Sequence, residues 1–177
     1  YFNPDNGSFT EDKNSMIYVD KTGLLRFLNE RLGTNSKCIA VSHARRFGKS
    51  QAARMLDAYY SMGCDSREIF SQFAISQKND FEKHLNKYNV IHLDISSIAD
   101  FHKEDLVEEC IKRIYDDFET VYGKAIRREN DINVVINQVY EKTGIPFVIV
   151  IDEWDCVVRN HADAPNLVHR YLQFLHS

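Results

Sequence analysis

Five consecutive apolar residues, Phe147, Val148, Ile149, Val150 and Ile151, end at the acidic pair Asp152-Glu153. A β-branched run this short has no polar face to turn toward water, so it fits a strand covered on both sides, the kind that parallel sheets are made of. Residues 90–95, Val-Ile-His-Leu-Asp-Ile, make a second strong strand, and residues 37–41, with Cys38, Ile39, Ala40 and Val41, a third that should be buried. Helical spacing fills the intervals. Leu24, Leu25, Phe27, Leu28 and Leu32 mark a short helix that Thr22 or Asp20 can cap and Gly33 can end. Residues 49–61 bury Ala52, Ala53, Met55, Leu56 and Tyr59, with Gly63 as the stop. A further helix is expected around residues 80–87. Residues 103–122 form the longest helix, and residues 132–142 another that ends at Gly144. Strand, helix, strand, helices, strand predicts an α/β fold with a mostly parallel sheet flanked by helices. Residues 1–15, rich in Asn, Asp, Ser and Gly, carry no sustained period and should form an irregular surface arm.

The segment that leaves the first apolar run is Val41-Ser42-His43-Ala44-Arg45-Arg46-Phe47-Gly48-Lys49-Ser50. It lies where a strand turns into a helix, the position of a phosphate cradle. Gly48 lets backbone N–H groups close around an oxyanion. Lys49 brings a positive charge to the terminal phosphates, Ser50 offers a hydroxyl to Mg2+, and the helix N-terminus adds its dipole. His43 stands where the pattern G-x-x-x-x-G-K-[ST] has its first glycine, so the motif alone is degenerate. Its context is the second half of the argument. About a hundred residues on, Asp152 and Glu153 emerge at the carboxyl end of a strand, the edge at which open α/β sheets bind ligands. Asp152 is expected to hold Mg2+, and Glu153 to orient and polarise the water that attacks the terminal phosphate.

Composition narrows the setting. A net charge of −4 and scattered basic residues, apart from Arg45-Arg46 and Arg127-Arg128, give no electrostatic argument for nucleic acid. With 44% hydrophobic and 27% charged residues, the chain has the balance of an ordinary globular domain. Cys38, Cys64, Cys110 and Cys156 form no C-x-x-C pair, and Cys38 sits in an apolar run where it can pack. That pattern is one of reduced thiols and a cytoplasmic protein. No apolar stretch reaches membrane-spanning length, and the seven histidines show no metal spacing. The first residue is not Met and the last seven read as the middle of a helix, so a fragment of a longer protein is expected.

Three segments together carry a family resemblance: Tyr18-Val19-Asp20-Lys21-Thr22, Ala44-Arg45-Arg46-Phe47-Gly48-Lys49-Ser50, and Ile151-Asp152-Glu153-Trp154-Asp155. They resemble the prokaryotic AAA-ATPase-like family, whose motifs run YVDKT, RPRRFGKS and IDEYD, over about residues 15–160. The resemblance implies a P-loop NTPase core of the additional-strand, AAA-like type, with ATP and Mg2+ as cofactors. It also implies that the first Walker glycine is commonly absent. Ala44 replaces the family's proline and Trp154 its tyrosine.

On this reading an N-terminal arm and short helix span residues 1–35, and a P-loop ATPase core spans residues 36–177. Walker A residues Ala44, Arg45, Arg46, Phe47, Gly48, Lys49, Ser50 and Gln51, together with Tyr18, contact the nucleotide. Lys49 and Glu153 are the catalytic pair, and Ser50 and Asp152 hold Mg2+. Arg45 and Arg46 either neutralise phosphate or pair at the sheet edge; residues 18–22 either pack beside adenine or simply start a helix. Asp94 either reaches Mg2+-bound water or caps the next segment. Family members often continue into a sensor strand, a helical lid and a nuclease-like domain of the PD-(D/E)xK type, none of which fits before Ser177. In the additional-strand arrangement a later strand lies between the Walker A and Walker B strands. Two rows of backbone groups would then need a partner chain, a swap or further residues of the same protein. The expected activity is ATP hydrolysis, with an arginine finger supplied by a neighbouring subunit in a homo-oligomer. Two alternatives are a nucleotide-sensing switch that does not hydrolyse, and the ATPase part of a DNA-directed defence or mobile-element protein that meets nucleic acid through its downstream domain.

Overall fold

The computed structural model describes residues 1–42, 47–101 and 105–176. In chain order the helices and strands are α1 (Gly7–Lys13), α2 (Gly23–Asn29), α3 (Lys49–Tyr60), α4 (Arg67–Phe70), α5 (Phe81–His84), β1 (Asn89–Asp94), α6 (Ile95–Ala99), α7 (Leu106–Tyr122), α8 (Ile132–Thr143), β2 (Phe147–Asp152), α9 (Cys156–Asn160) and α10 (Pro165–His176). Two compact units divide the chain: residues 3–90, and residues 1–2 with those from 91 onward.

The first unit is helical and its core is aromatic. Phe9, Tyr59, Tyr60, Phe70 and Phe81 are buried together with Leu25, Met55 and Ala58. The tyrosine hydroxyls take partners inside that core. Tyr60 Oη donates to Asn29 Oδ1 at 2.8 Å, and Tyr59 Oη donates to the Phe81 carbonyl at 3.0 Å. Burial without such partners would cost each hydroxyl its hydration. Residues 1–15 depart from expectation, because residues 7–13 are helical. Polar composition hides one anchor there: Phe9 is buried, stacked 5.1 Å from Phe70, and Asp12 accepts a two-pronged ion pair from Arg54 of α3 at 2.7 and 3.0 Å.

The second unit is α/β. β1 and β2 pair in parallel, the connection between them running through α6, α7 and α8. A parallel pair requires such a crossover. Two helix starts have a visible cause: Asp94 accepts from the Ser96 and Ser97 N–H groups to open α6, and Asp131 accepts from Asn133 N–H to open α8. Gly144, with φ +68°, ends α8 in the left-handed conformation that glycine adopts without a Cβ penalty. One face of α7 carries Leu106, Cys110, Ile114 and Phe118 into a core shared with Leu93, Val135, Val139, Val157 and Tyr171. Each fully buried Leu, Ile, Val or Phe among them contributes about 1.5–3 kcal/mol.

The expected third strand does not form. Residues 37–41 belong to no strand or bridge, Val41 is 49% exposed, and Cys38, expected to pack, is exposed as well. An apolar run takes strand geometry only where a neighbour receives its backbone hydrogen bonds, and no described strand pairs with this one.

Candidate functional site

Of the phosphate-loop segment, Val41, Ser42 and the residues from Phe47 onward are described. The proposed contacts at Ala44, Arg45 and Arg46, and the atypical His43, lie outside the described residues. Gly48 has φ +75° and ψ 39° and stands immediately before α3, with Lys49 and Ser50 as the helix's first two residues. A residue at this position must turn the chain through left-handed space, which only glycine does cheaply. The first-turn N–H groups of α3 have no carbonyl four residues back to bond within the helix, and Gly48 brings no side chain to cap them. Lys49, Ser50 and Gln51 are half-buried and Phe47 is exposed.

One contact joins this turn to the Tyr18–Thr22 segment. Lys21 Nζ donates to the Phe47 carbonyl at 2.8 Å and to the Gly48 carbonyl at 3.1 Å. A Cβ on Gly48 would run into that ammonium group. Lys21 is not among the residues the Walker pattern singles out. Its signal in the sequence is its place inside the Tyr18-Val19-Asp20-Lys21-Thr22 segment. Tyr18 packs its ring against Phe9 at 6.1 Å and Phe73 at 5.5 Å. Burial, aided by the charges of Asp20 and Asp12, pushes its hydroxyl up to about 12. Asp20 Oδ1 accepts the Thr22 N–H at 2.8 Å. Thr22 precedes α2 without a side-chain cap, and its buried hydroxyl finds no hydrogen-bond partner among the described residues.

The acidic turn belongs to the second unit. Asp152 is the last residue of β2, and its Oδ1 accepts the Glu153 N–H at 2.9 Å. Glu153 has φ +50°, a left-handed conformation uncommon for a residue with a Cβ. The turn is fastened on both sides: the Glu153 carbonyl accepts from Cys156 N–H at 3.0 Å, and the Trp154 carbonyl accepts from the buried Tyr171 hydroxyl at 2.8 Å. Arg159, one turn into α9, bonds Glu153 Oε2 at 3.3 Å and Asp155 Oδ2 at 2.6 Å. Asp94 spends Oδ1 on capping α6, at 3.0 Å from Ser96 N and 2.7 Å from Ser96 Oγ.

One unit therefore carries a glycine-opened helix with Lys49 and Ser50 at its start, and the other an Asp-Glu turn at a strand end with Glu153 left-handed. A family model described as a predicted AAA-ATPase, AAA-ATPase-like, matches residues 8–177. The chain belongs to the predicted AAA-ATPase family. Comparison with curated proteins returns no match, and neither does comparison with solved structures. For this AAA-ATPase-like chain the family description points to ATP, and the α/β fold with its parallel strand pair is compatible with an AAA-like domain. No helix among the described residues is long and apolar enough to cross a membrane.

Proposed function

We propose that this AAA-ATPase-like chain binds ATP at the turn from Gly48 into α3 and hydrolyses it. The carrying observation is the left-handed Gly48 with Lys49 and Ser50 opening the helix, because it offers amide donors, a helix N-terminus and an ammonium group in three consecutive residues. Gln51, Phe47 and the loop residues Ala44, Arg45 and Arg46 complete the phosphate contacts, and Tyr18 borders the base. Ser50 and Asp152 supply hard oxygen donors, a hydroxyl and a carboxylate, the ligand chemistry that Mg2+ accepts. When bound there, the ion neutralises phosphate charge.

In the reaction a water oxygen attacks the γ-phosphorus, the bond from that phosphorus to the bridging oxygen breaks, and ADP leaves. Glu153 orients the water and takes up its proton; Lys49 stabilises charge on the phosphoryl oxygens. A supporting feature of Glu153 is its strained backbone, which aims the side chain by conformation rather than by rotamer alone.

The Arg159 contact supports a second reading, a switch that holds nucleotide without consuming it, since the carboxylate proposed as base is engaged by a cation. Phosphate release from ATP separates the two. Glu153→Gln should keep ATP affinity and lose turnover if the chain is an enzyme. Equal phosphate release by wild type and Glu153→Gln, at the level of buffer, would favour the switch.

A further inference from the structure

Lys21 stands 26 residues before Phe47 in sequence, yet its ammonium group bridges two successive carbonyls of the phosphate-loop turn. In a trans peptide the carbonyl of one residue and the N–H of the next point in opposite directions. Clamping the Phe47 carbonyl therefore aims the Gly48 N–H the other way, and clamping the Gly48 carbonyl does the same for the Lys49 N–H. These are two of the amides that a phosphate cradle uses. The Gly48 carbonyl also accepts the Ala52 N–H at 3.0 Å, the first bond of α3, while the Phe47 carbonyl stands one residue before that ladder, and Lys21 reaches both.

Lys21 is itself well held. On one side Tyr18 is locked between Phe9 and Phe73; on the other, the Thr22 N–H bonds Asp20, Asp20 Oδ2 reaches the Ala74 N–H at 3.5 Å, and Leu24 N–H bonds the Lys21 carbonyl at 2.9 Å. A long side chain launched from a fixed backbone gives up less entropy when its head group is immobilised. Glycine at position 48 is also what admits the ammonium, because a Cβ would occupy its place.

We propose that Lys21 is a positioning residue that presets the phosphate loop, holding the Phe47–Gly48 peptide with its carbonyl turned away from the nucleotide and its N–H turned toward it. The inference rests on the nucleotide-binding reading of this turn. Because the clamp acts on the cradle rather than on the last phosphate, ADP and ATP should depend on Lys21 alike. A lysine that touched the γ-phosphate would instead favour ATP alone.

The experiment is calorimetric titration of wild type, Lys21→Met and Lys21→Gln with MgATP and MgADP, with thermal melts of each protein in the absence of nucleotide. Lys21→Met should weaken ATP and ADP by a similar factor, about ten- to a hundredfold for loss of a charged donor to a carbonyl. Lys21→Gln, which keeps a neutral N–H donor, should recover part of that loss, while the nucleotide-free melting points stay close to wild type. If wild type binds both nucleotides and a folded Lys21→Met binds them equally well, the proposal is overturned while the nucleotide site stands. A loss confined to ATP overturns it too, in favour of direct γ-phosphate contact. Wild type that binds neither nucleotide removes the site and the proposal together. Should Lys21→Met not fold, the Lys21→Gln comparison of ATP with ADP decides by the same criteria.

Discussion

Residues 37–41 and residues 147–151 are both short apolar runs leading into a functional motif, and the protein treats them oppositely. The later run becomes β2, pairs with β1 and buries Val150; the earlier one forms no strand and leaves Val41 half-exposed. Apolar character does not separate them, since the earlier run brings Cys38, Ile39, Ala40 and Val41 and the later one Phe147, Val148, Ile149, Val150 and Ile151. The availability of a partner does. β2 has β1 alongside, itself anchored by Leu93 and Ile91 in the core, whereas no described strand receives the backbone bonds of the earlier run. Apolar sequence states a capacity for burial, and the neighbour decides whether it is used.

The widest difference should appear in thiol chemistry. Cys38 lies exposed in the unpaired run; Cys110 and Cys156 are buried, and burial pushes their thiols up to about 12 and about 11. A disulfide reagent at pH 8 should label Cys38 at least about a hundredfold faster than either buried thiol, since the thiolate is the reactive form. Peptide mapping of the early time points checks this, and protection of Cys38 would break the comparison. Stability should follow the same division. Leu93→Ala is expected to cost about 2–5 kcal/mol in urea unfolding, against less than about 0.5 kcal/mol for Val41→Ala at its exposed site.

A finer probe addresses the turn after β2. Tyr171→Phe removes the hydroxyl that donates to the Trp154 carbonyl, and should cost about 0.5–1.5 kcal/mol. A loss of turnover larger than this loss of stability would tie the turn's backbone to the chemistry. The smallest effect distinguishes the units by pH. His84 is buried beside the Tyr88 hydroxyl at 2.6 Å, and burial, with the neighbouring Lys83 charge, lowers its pKa from 6.5. The unfolded chain therefore binds the proton more readily, and stability present above pH 6.5 is lost as pH falls toward the folded value. Hydrogen exchange should show residues 59–88 loosening first on mild acidification, a trend that His84→Gln blunts.

Legibility in the sequence divided along physical lines. β1, β2, α3, α7 and α8 follow from local apolar spacing and from glycines at 48 and 144, and they fold close to where the pattern puts them. The Asp94 cap was one of two roles its position suggested. Three features had no local signature. Helix α1 depends on Phe9 meeting Phe70 and Phe73, residues about sixty positions away; residues 37–41 depend on a pairing that composition cannot state; and the left-handed Glu153 follows from no preference of glutamate. At the candidate site the Walker residues were legible as a motif. The Lys21 clamp was not, because it is set by the reach of one side chain across the first unit.

Titration of the folded protein with MgATP, wild type against Lys49→Ala, bears most directly on the central claim. Saturable binding by the wild type that falls at least about tenfold in Lys49→Ala is the predicted result. Identical isotherms for the two proteins, or no heat from either with both folded, would contradict a nucleotide site at the start of α3.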